Sequence, residues 1–283
     1  MLERYVQLIT KQGVTQGIFL EGGLTRDGRL RAPKIGLLDY VIGIAREPEY
    51  RRRLHVIPVA VNYDRVLEDR SLLLELARAE GKKRPSRLKQ LGDVSHFVGW
   101  NLARLVTRRW KRYGRAAVVI GRPIPLQPWF ERENDLFELP RAERLARVQR
   151  LSDSIMNIIG GVIPVTPVAL ACAAIQSLDA DFIPRTRLLE RMEEMRDTLV
   201  ELNGRVIRAD RDIGETFDRA WRMLRMRRIL VQSGDGYAVS PRNRGLISYY
   251  ANSIAHLLGP FEQAVRERDA LPAARLSGET ILR

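Results

Sequence analysis

From Ser154 to Leu178 the chain carries no charged side chain for 25 residues. A stretch that long is able to cross a bilayer as one helix. Pro164 and Pro167, preceded by the Gly160-Gly161 pair, argue against it, because each proline removes a helical hydrogen bond and clashes with the preceding turn. The segment therefore reads as two buried helices joined at Pro164-Val-Thr-Pro167. This is the apolar centre around which the second half of the chain has to pack.

The surrounding sequence agrees. Leu145, Val148, Leu151 and Ile155 recur at helical spacing before it, and Leu188, Met192, Met195, Leu199 and Leu202 recur after it. Phe217, Trp221 and Leu224 form another such stripe. Ile229 to Val239 reads as a β-hairpin turned by Ser233-Gly-Asp-Gly236. The first half is patterned differently. Short apolar runs, Gly17–Leu20, Val56–Val61 and Ala116–Ile120, end in turn residues and are separated by helical spacing, which suggests an α/β sheet covered on both faces. Polar residues with a proline at each end, 128–140, read as a linker. The expected organisation is an α/β unit over residues 1–127 and a mainly helical unit over 128–283. At the start, Leu2, Val6 and Ile9 fall on one helix face, so the chain reads as opening inside a helix rather than with a secretion signal.

Composition narrows the partners. The 283 residues hold 48 basic and 34 acidic side chains, a net charge of +14. Nearly all the basic residues are arginines, which suit bidentate contacts to phosphate. An anionic partner is expected: nucleic acid, an anionic membrane surface, or a phosphorylated small molecule. A single cysteine, Cys172, excludes an internal disulfide and a thiolate metal cage, and it fits a reducing cytoplasmic compartment. Three histidines, His55, His96 and His256, disfavour a metal site built on several imidazoles.

The sharpest local pattern is Phe19-Leu-Glu21-Gly22-Gly23-Leu-Thr-Arg26-Asp-Gly28, continuing through Pro33-Lys34-Ile-Gly36. Paired glycines let backbone N–H groups approach an anion, and Arg26 is placed to clamp a phosphate. An ordinary glycine turn with a solvated arginine remains open on spacing alone. This segment resembles the Phe-x-Glu-Gly block of the glycerolipid acyltransferases, and its continuation is similar to the glycerol-3-phosphate acyltransferases. Ile57-Pro58-Val59, running on to Tyr63-Asp64, resembles that family's next block. Val118 to Leu126, Val165 to Leu170 and Tyr249 to Leu257 resemble later ones, in order along the chain.

The resemblance implies transfer of an acyl group from acyl-CoA or acyl carrier protein to the 1-hydroxyl of glycerol 3-phosphate, with no cofactor or metal. It implies substrate contacts at Glu21, Gly22, Gly23, Arg26 and Pro58, in an incomplete acyltransferase-type α/β domain followed by the helical one. It also implies a His-x-x-x-x-Asp pair that takes the hydroxyl proton. Five residues beyond the three histidines stand Ala60, Asn101 and Phe261, so no catalytic residue is assigned here. The chain is expected to be the C-terminal part of a longer acyltransferase and inactive alone. Leu24, where relatives carry arginine, and Arg122, where they carry an acid, depart from the pattern. His256 reads as structural.

Two further expectations come from charge. Leu102 to Arg112 reads as an amphipathic helix suited to a peripheral position on the cytoplasmic face of an anionic membrane. The basic helix Arg219–Arg228 and the hairpin after it resemble a winged-helix element, which keeps nucleic acid as the alternative partner. Dihydroxyacetone phosphate and acylglycerol phosphate are alternative acceptors within the acyltransferase reading.

Overall fold

The computed structural model of the protein describes residues 1–79, 114–259 and 261. The Leu102–Arg112 helix and His96 lie outside the described residues. Helices and short strands mix along the chain, and their apolar faces gather into two hydrophobic clusters.

The first cluster joins the N-terminal part to residues 126–156. Leu38 and Ile42 of the Gly36–Ile42 helix meet Leu126, Trp129, Phe130 and Leu136, and the Arg141–Gly161 helix adds Val148, Leu151 and Ile155. The linker expected at 128–140 is therefore corrected. Pro128 starts the Gln127–Arg132 helix, a position where its missing N–H costs nothing. The two aromatics behind it, Trp129 and Phe130, pack edge to face at 5.1 Å and are buried. Polar composition concealed three apolar anchors at helical and turn spacing.

Two antiparallel ribbons sit beside this cluster. His55–Val56 pairs with Ile124–Pro125, and Val59–Tyr63 pairs with Ala116–Ile120, with Val59 opposite Ile120 and Tyr63 opposite Ala116. Two of the three expected strands are thus present. The third, Gly17–Leu20, is not a strand, because its carbonyls serve the loop that follows: Phe19 O accepts the N–H of Gly22 at 3.0 Å, and Leu20 O accepts that of Lys34 at 2.7 Å. Among the described residues, Val59, Val61, Val118 and Ile120 stay exposed on one side of the ribbon.

The second cluster is built round the Pro167–Leu178 helix, in which all eight residues from Val168 to Ile175 are buried. Its neighbours are the helices Arg185–Glu201, Ile213–Met226 and Arg244–Asn252. The expected break at Pro164–Pro167 is found: the Arg141–Gly161 helix stops, Pro164–Val165 pairs with Arg205–Val206, and a new helix begins. No helix among the described residues is long and apolar enough to cross a membrane. Cys172 is buried in this helix, and burial pushes its thiol well above the usual range.

The expected hairpin forms from Leu230–Ser233 and Gly236–Val239, turned at Gly234 with φ +54°, and Phe182–Pro184 adds a third strand beside Gly236–Val239. From Pro167 the order is helix, strand, helix, the short strand Arg205–Val206, helix and a two-stranded hairpin, a winged-helix order with one strand inserted.

Thr166 sets the start of the central helix. Its hydroxyl accepts the N–H of Ala169 at 3.3 Å while the side chain is buried. Thr166→Ala is expected to cost about 1 kcal/mol, as loss of such a cap does. Thr166→Ser should restore most of it in urea-unfolding midpoints.

Candidate functional site

The glycine-rich segment folds as a closed loop on the surface. The hydrogen bonds at Gly22 and Lys34 fix its base, and Gly22 takes φ +64°, a conformation that suits glycine. Inside the loop, Thr25 and Asp27 make a small knot. Thr25 Oγ1 accepts the N–H of Gly28 at 3.1 Å, and Asp27 Oδ1 accepts that of Arg29 at 3.0 Å.

Glu21, Gly22, Gly23 and Arg26 therefore share one loop. Pro58 stands apart, between the two ribbons, with its carbonyl accepting the N–H of Gly121 at 2.8 Å. The cations laid against the glycines are Lys34 and Arg31. A Cβ added at Gly22 would lie 2.6 Å from Lys34 Cδ, and one at Gly23 would lie 3.7 Å from Arg31 Nη1. Arg26 reaches across to Glu75, Nε to Oε2 3.4 Å, with both side chains about half exposed. Such a pair contributes little to stability.

Glu21 is half-buried. Burial raises the pKa of its carboxyl, opposed by the backbone N–H of Arg31. A carboxyl that holds its proton more tightly when folded loses stability as pH rises toward its folded pKa. Glu21→Gln is accordingly expected to melt at a higher temperature than the parent at pH 7. The difference should vanish as pH falls below the ordinary glutamate range. A gap that stays constant from pH 4 to 7.5 would show that this charge is not the cause.

The loop is held from behind by the C-terminal block. Asn252 Nδ2 donates to Asp27 O at 2.8 Å. Gly28, at φ +85°, lies so close to Tyr249 that an added Cβ would be 1.9 Å from the carbonyl oxygen of that residue. Next to it, Tyr250 donates its hydroxyl to Asp69 Oδ2 at 2.5 Å and accepts the N–H of Val66 at 3.2 Å. Arg227 grips the same carboxylate through both nitrogens, Nη2 to Oδ1 at 2.7 Å. Asp69 is fully buried. Asn62 donates to Pro164 O at 3.0 Å and to Ser253 Oγ at 3.2 Å, tying the ribbon to the same block.

Sequence reasoning gave Tyr249, Tyr250 and Asn252 no role. Their partners lie 181 to 225 residues away, so no spacing rule points to them. Asp69 and Arg227 were missed for the same reason. His256 Nε2 lies 3.0 Å from Gly160 O, a contact that suits the structural reading. His55 Nδ1 lies 3.2 Å from Arg53 O on the surface, with no carboxylate partner in that contact. Among the described residues, no group of three or more histidine, cysteine or acidic side chains could hold a metal.

Residues 100–260 match the family described as the glycerol-3-phosphate acyltransferase C-terminal region. The glycerol-3-phosphate acyltransferase of Xylella fastidiosa strain M23 is 26% identical, over 91% of this chain and 29% of its own length. That of Aeromonas hydrophila is 25% identical, over 91% of this chain and 31% of its own. That of Pseudomonas fluorescens Pf-5 is 26% identical over the whole chain and 33% of its own. The chain spans about a third of the length of the curated relatives it matches. Since the family match alone covers more than half of its residues, this chain belongs to the glycerol-3-phosphate acyltransferase C-terminal family.

Proposed function

We propose that this chain carries the acceptor-holding part of a glycerol-3-phosphate O-acyltransferase of phospholipid synthesis. The acyl group comes from acyl-CoA or acyl carrier protein and goes to the 1-hydroxyl of glycerol 3-phosphate. The observation that carries the reading is the loop Glu21–Lys34, with two glycines and two cations at its mouth and its back fastened by Tyr249 and Asn252. The backbone N–H of Gly23 faces the phosphate, Arg26 leaves Glu75 to pair with it, and Lys34 and Arg31 add charge. Glu21 accepts from a glycerol hydroxyl, and Pro58 borders the acceptor.

In the reaction the 1-hydroxyl oxygen forms a bond to the thioester carbonyl carbon. The carbon–sulfur bond breaks, and the hydroxyl proton ends on the departing thiol. That step needs a base in line with the hydroxyl. No histidine of this chain has an aspartate five residues on. The chain thus binds the acceptor and does not turn it over alone. The +14 charge supports a peripheral position on the cytoplasmic face of an anionic membrane.

Calorimetric titration with glycerol 3-phosphate tests the reading. Binding should exceed that of glycerol at least tenfold and fall at least tenfold in Arg26→Ala, while palmitoyl-CoA gives no acylated product. Dihydroxyacetone phosphate and acylglycerol phosphate titrated alongside decide the acceptor. Equal affinity for glycerol, or turnover by the 283-residue chain, overturns it.

The winged-helix order favours a second reading, binding to nucleic acid. Against it, the Arg219 and Arg222 face of the Ile213–Met226 helix is turned toward the end of the Val59–Tyr63 ribbon rather than presented as a convex surface.

A further inference from the structure

A cavity of about 400 Å³ opens between the Ile213–Met226 helix and the end of the ribbon formed by Val59–Tyr63 and Ala116–Ile120. It shares no lining residue with the Glu21–Lys34 loop. Five guanidinium groups border it: Arg115 from the ribbon, Arg208 and Arg211 from the turn after Arg205–Val206, and Arg219 and Arg222 from the helix. Between them lies an apolar floor of Ile207, Met223, Met226 and Ala117. On the helix, residues 219, 222, 223 and 226 fall at i, i+3, i+4 and i+7, one continuous face, while Phe217, Ala220 and Leu224 on the other side are buried in the second cluster.

Among the described residues, Arg115, Arg208, Arg219 and Arg222 form no ion pair with a carboxylate within 4 Å. Asp64 also borders the cavity, where burial raises the pKa of its carboxyl and the neighbouring Arg115, Thr166 and Val168 lower it. Glu215 approaches Arg211 only to 3.8 Å. Asp212 caps the Ile213–Met226 helix, and Asp218 pairs with Arg185 at 3.2 Å. Loss of water and the charges of Arg208, Arg115 and Arg211 lower the pKa of Arg219, opposed by Glu215. Arg208 sits at φ +56°, a left-handed conformation that non-glycine residues rarely adopt and that tends to mark functional sites. A fold that gathers cations round an apolar floor, at a cost in repulsion and backbone strain, is complementary to an anion with an apolar part.

The geometry points to this cavity as a binding site for a ligand that joins two or more phosphate charges to an apolar body. Planar arginine forks bind phosphate oxygens in pairs, and the methionines adapt to an aliphatic or heterocyclic surface. Inorganic phosphate alone leaves most of the volume and the floor unused. The same chemistry is found in a nucleotide-bearing thioester carrier such as coenzyme A and in a phosphomonoester lipid such as phosphatidate.

The test is calorimetric titration of the full chain with three probes: coenzyme A, dioctanoyl phosphatidate below its micellar concentration, and pyrophosphate. One of the two organic probes should bind at least tenfold more tightly than pyrophosphate, and which one does so names the source. Arg219→Gln should weaken that ligand tenfold or more, a step of about 1.4 kcal/mol, while the melting temperature stays level or rises because repulsion is relieved. Arg150→Gln, on the exposed face of the Arg141–Gly161 helix, should change neither. Arg26→Ala should also leave this binding intact, which separates the site from the acceptor loop. Organic probes no tighter than pyrophosphate, insensitivity to Arg219→Gln, or displacement of the bound probe by a short DNA duplex would overturn the assignment.

Discussion

Gly28→Ala is expected to lower the stability of the protein by about 2–4 kcal/mol, combining the cost of a left-handed non-glycine residue with that of a forced overlap. The added Cβ would sit 1.9 Å from the Tyr249 carbonyl oxygen and 2.9 Å from its carbon, and φ is +85°. Both offending atoms are backbone, so no side chain is able to swing aside. Either the Thr25–Arg29 turn lifts off, breaking the Asn252 hydrogen bond to Asp27, or the Arg244–Asn252 helix retreats and opens the cluster around Leu246 and Tyr250. The first route exposes Arg29 and Arg31 to trypsin, and the second lowers the urea midpoint without early nicking. Gly17→Ala is the matched control, because nothing lies within 4 Å of its added Cβ and its φ is not positive. Glycerol 3-phosphate affinity should fall in the Gly28 variant and stay level in the Gly17 variant. If the two unfold at the same midpoint, the clasp between loop and C-terminal block does not exist.

How much of this was legible beforehand depends on the distance over which each feature is decided. The Pro164–Pro167 break, the stripe from Leu188 to Leu199, the stripe at 217–224 and the hairpin at 230–239 are local, written in proline chemistry and 3.6-residue spacing, and they are found, while Leu202 at the end of the first stripe stays half exposed. Residues 128–140 misled because their composition is polar, although Trp129, Phe130 and Leu136 are buried there and Phe137 packs against them. Gly17–Leu20 misled because a run of apolar residues says nothing about whether its carbonyls meet another strand or its own following loop. For the site, the glycines and Arg26 were visible as a motif, while Arg31 and Lys34 became neighbours of those glycines only when the loop closed. The arginine cavity draws on residues between 64 and 226, so the sequence shows its charge and hides its concavity.

The second large effect is expected at Asp69. Removing its carboxylate by Asp69→Ala leaves the Arg227 guanidinium, about 9% exposed, without its ion partner and the Tyr250 hydroxyl without its acceptor. Stripping one member from a buried charge pair costs about 3–5 kcal/mol, chiefly because the other charge is stranded away from water. Burial by itself would lower the pKa of Arg227, but Asp69 and Tyr250 raise it on balance, which shows how tightly the three groups depend on one another. Burial and the Asp69 charge push the Tyr250 phenol above its ordinary range, so it stays a neutral donor at any working pH. Tyr250→Phe deletes the hydroxyl's hydrogen bonds to Asp69, Val66 and Arg227 and leaves the ion pair, for about 1–3 kcal/mol. The double variant Asp69→Leu with Arg227→Met should recover most of the loss, since an apolar pair of similar volume needs no partner. A double-mutant cycle on urea midpoints reads the coupling directly, and additive single effects would refute it. The consequence for function follows from position: Asp69 opens the Asp69–Ala79 helix, and that helix carries Glu75, the residue against which Arg26 rests. Asp69→Ala should therefore disturb the acceptor loop as well as the core. Tyr250→Phe should spare glycerol 3-phosphate binding in proportion to the stability it retains.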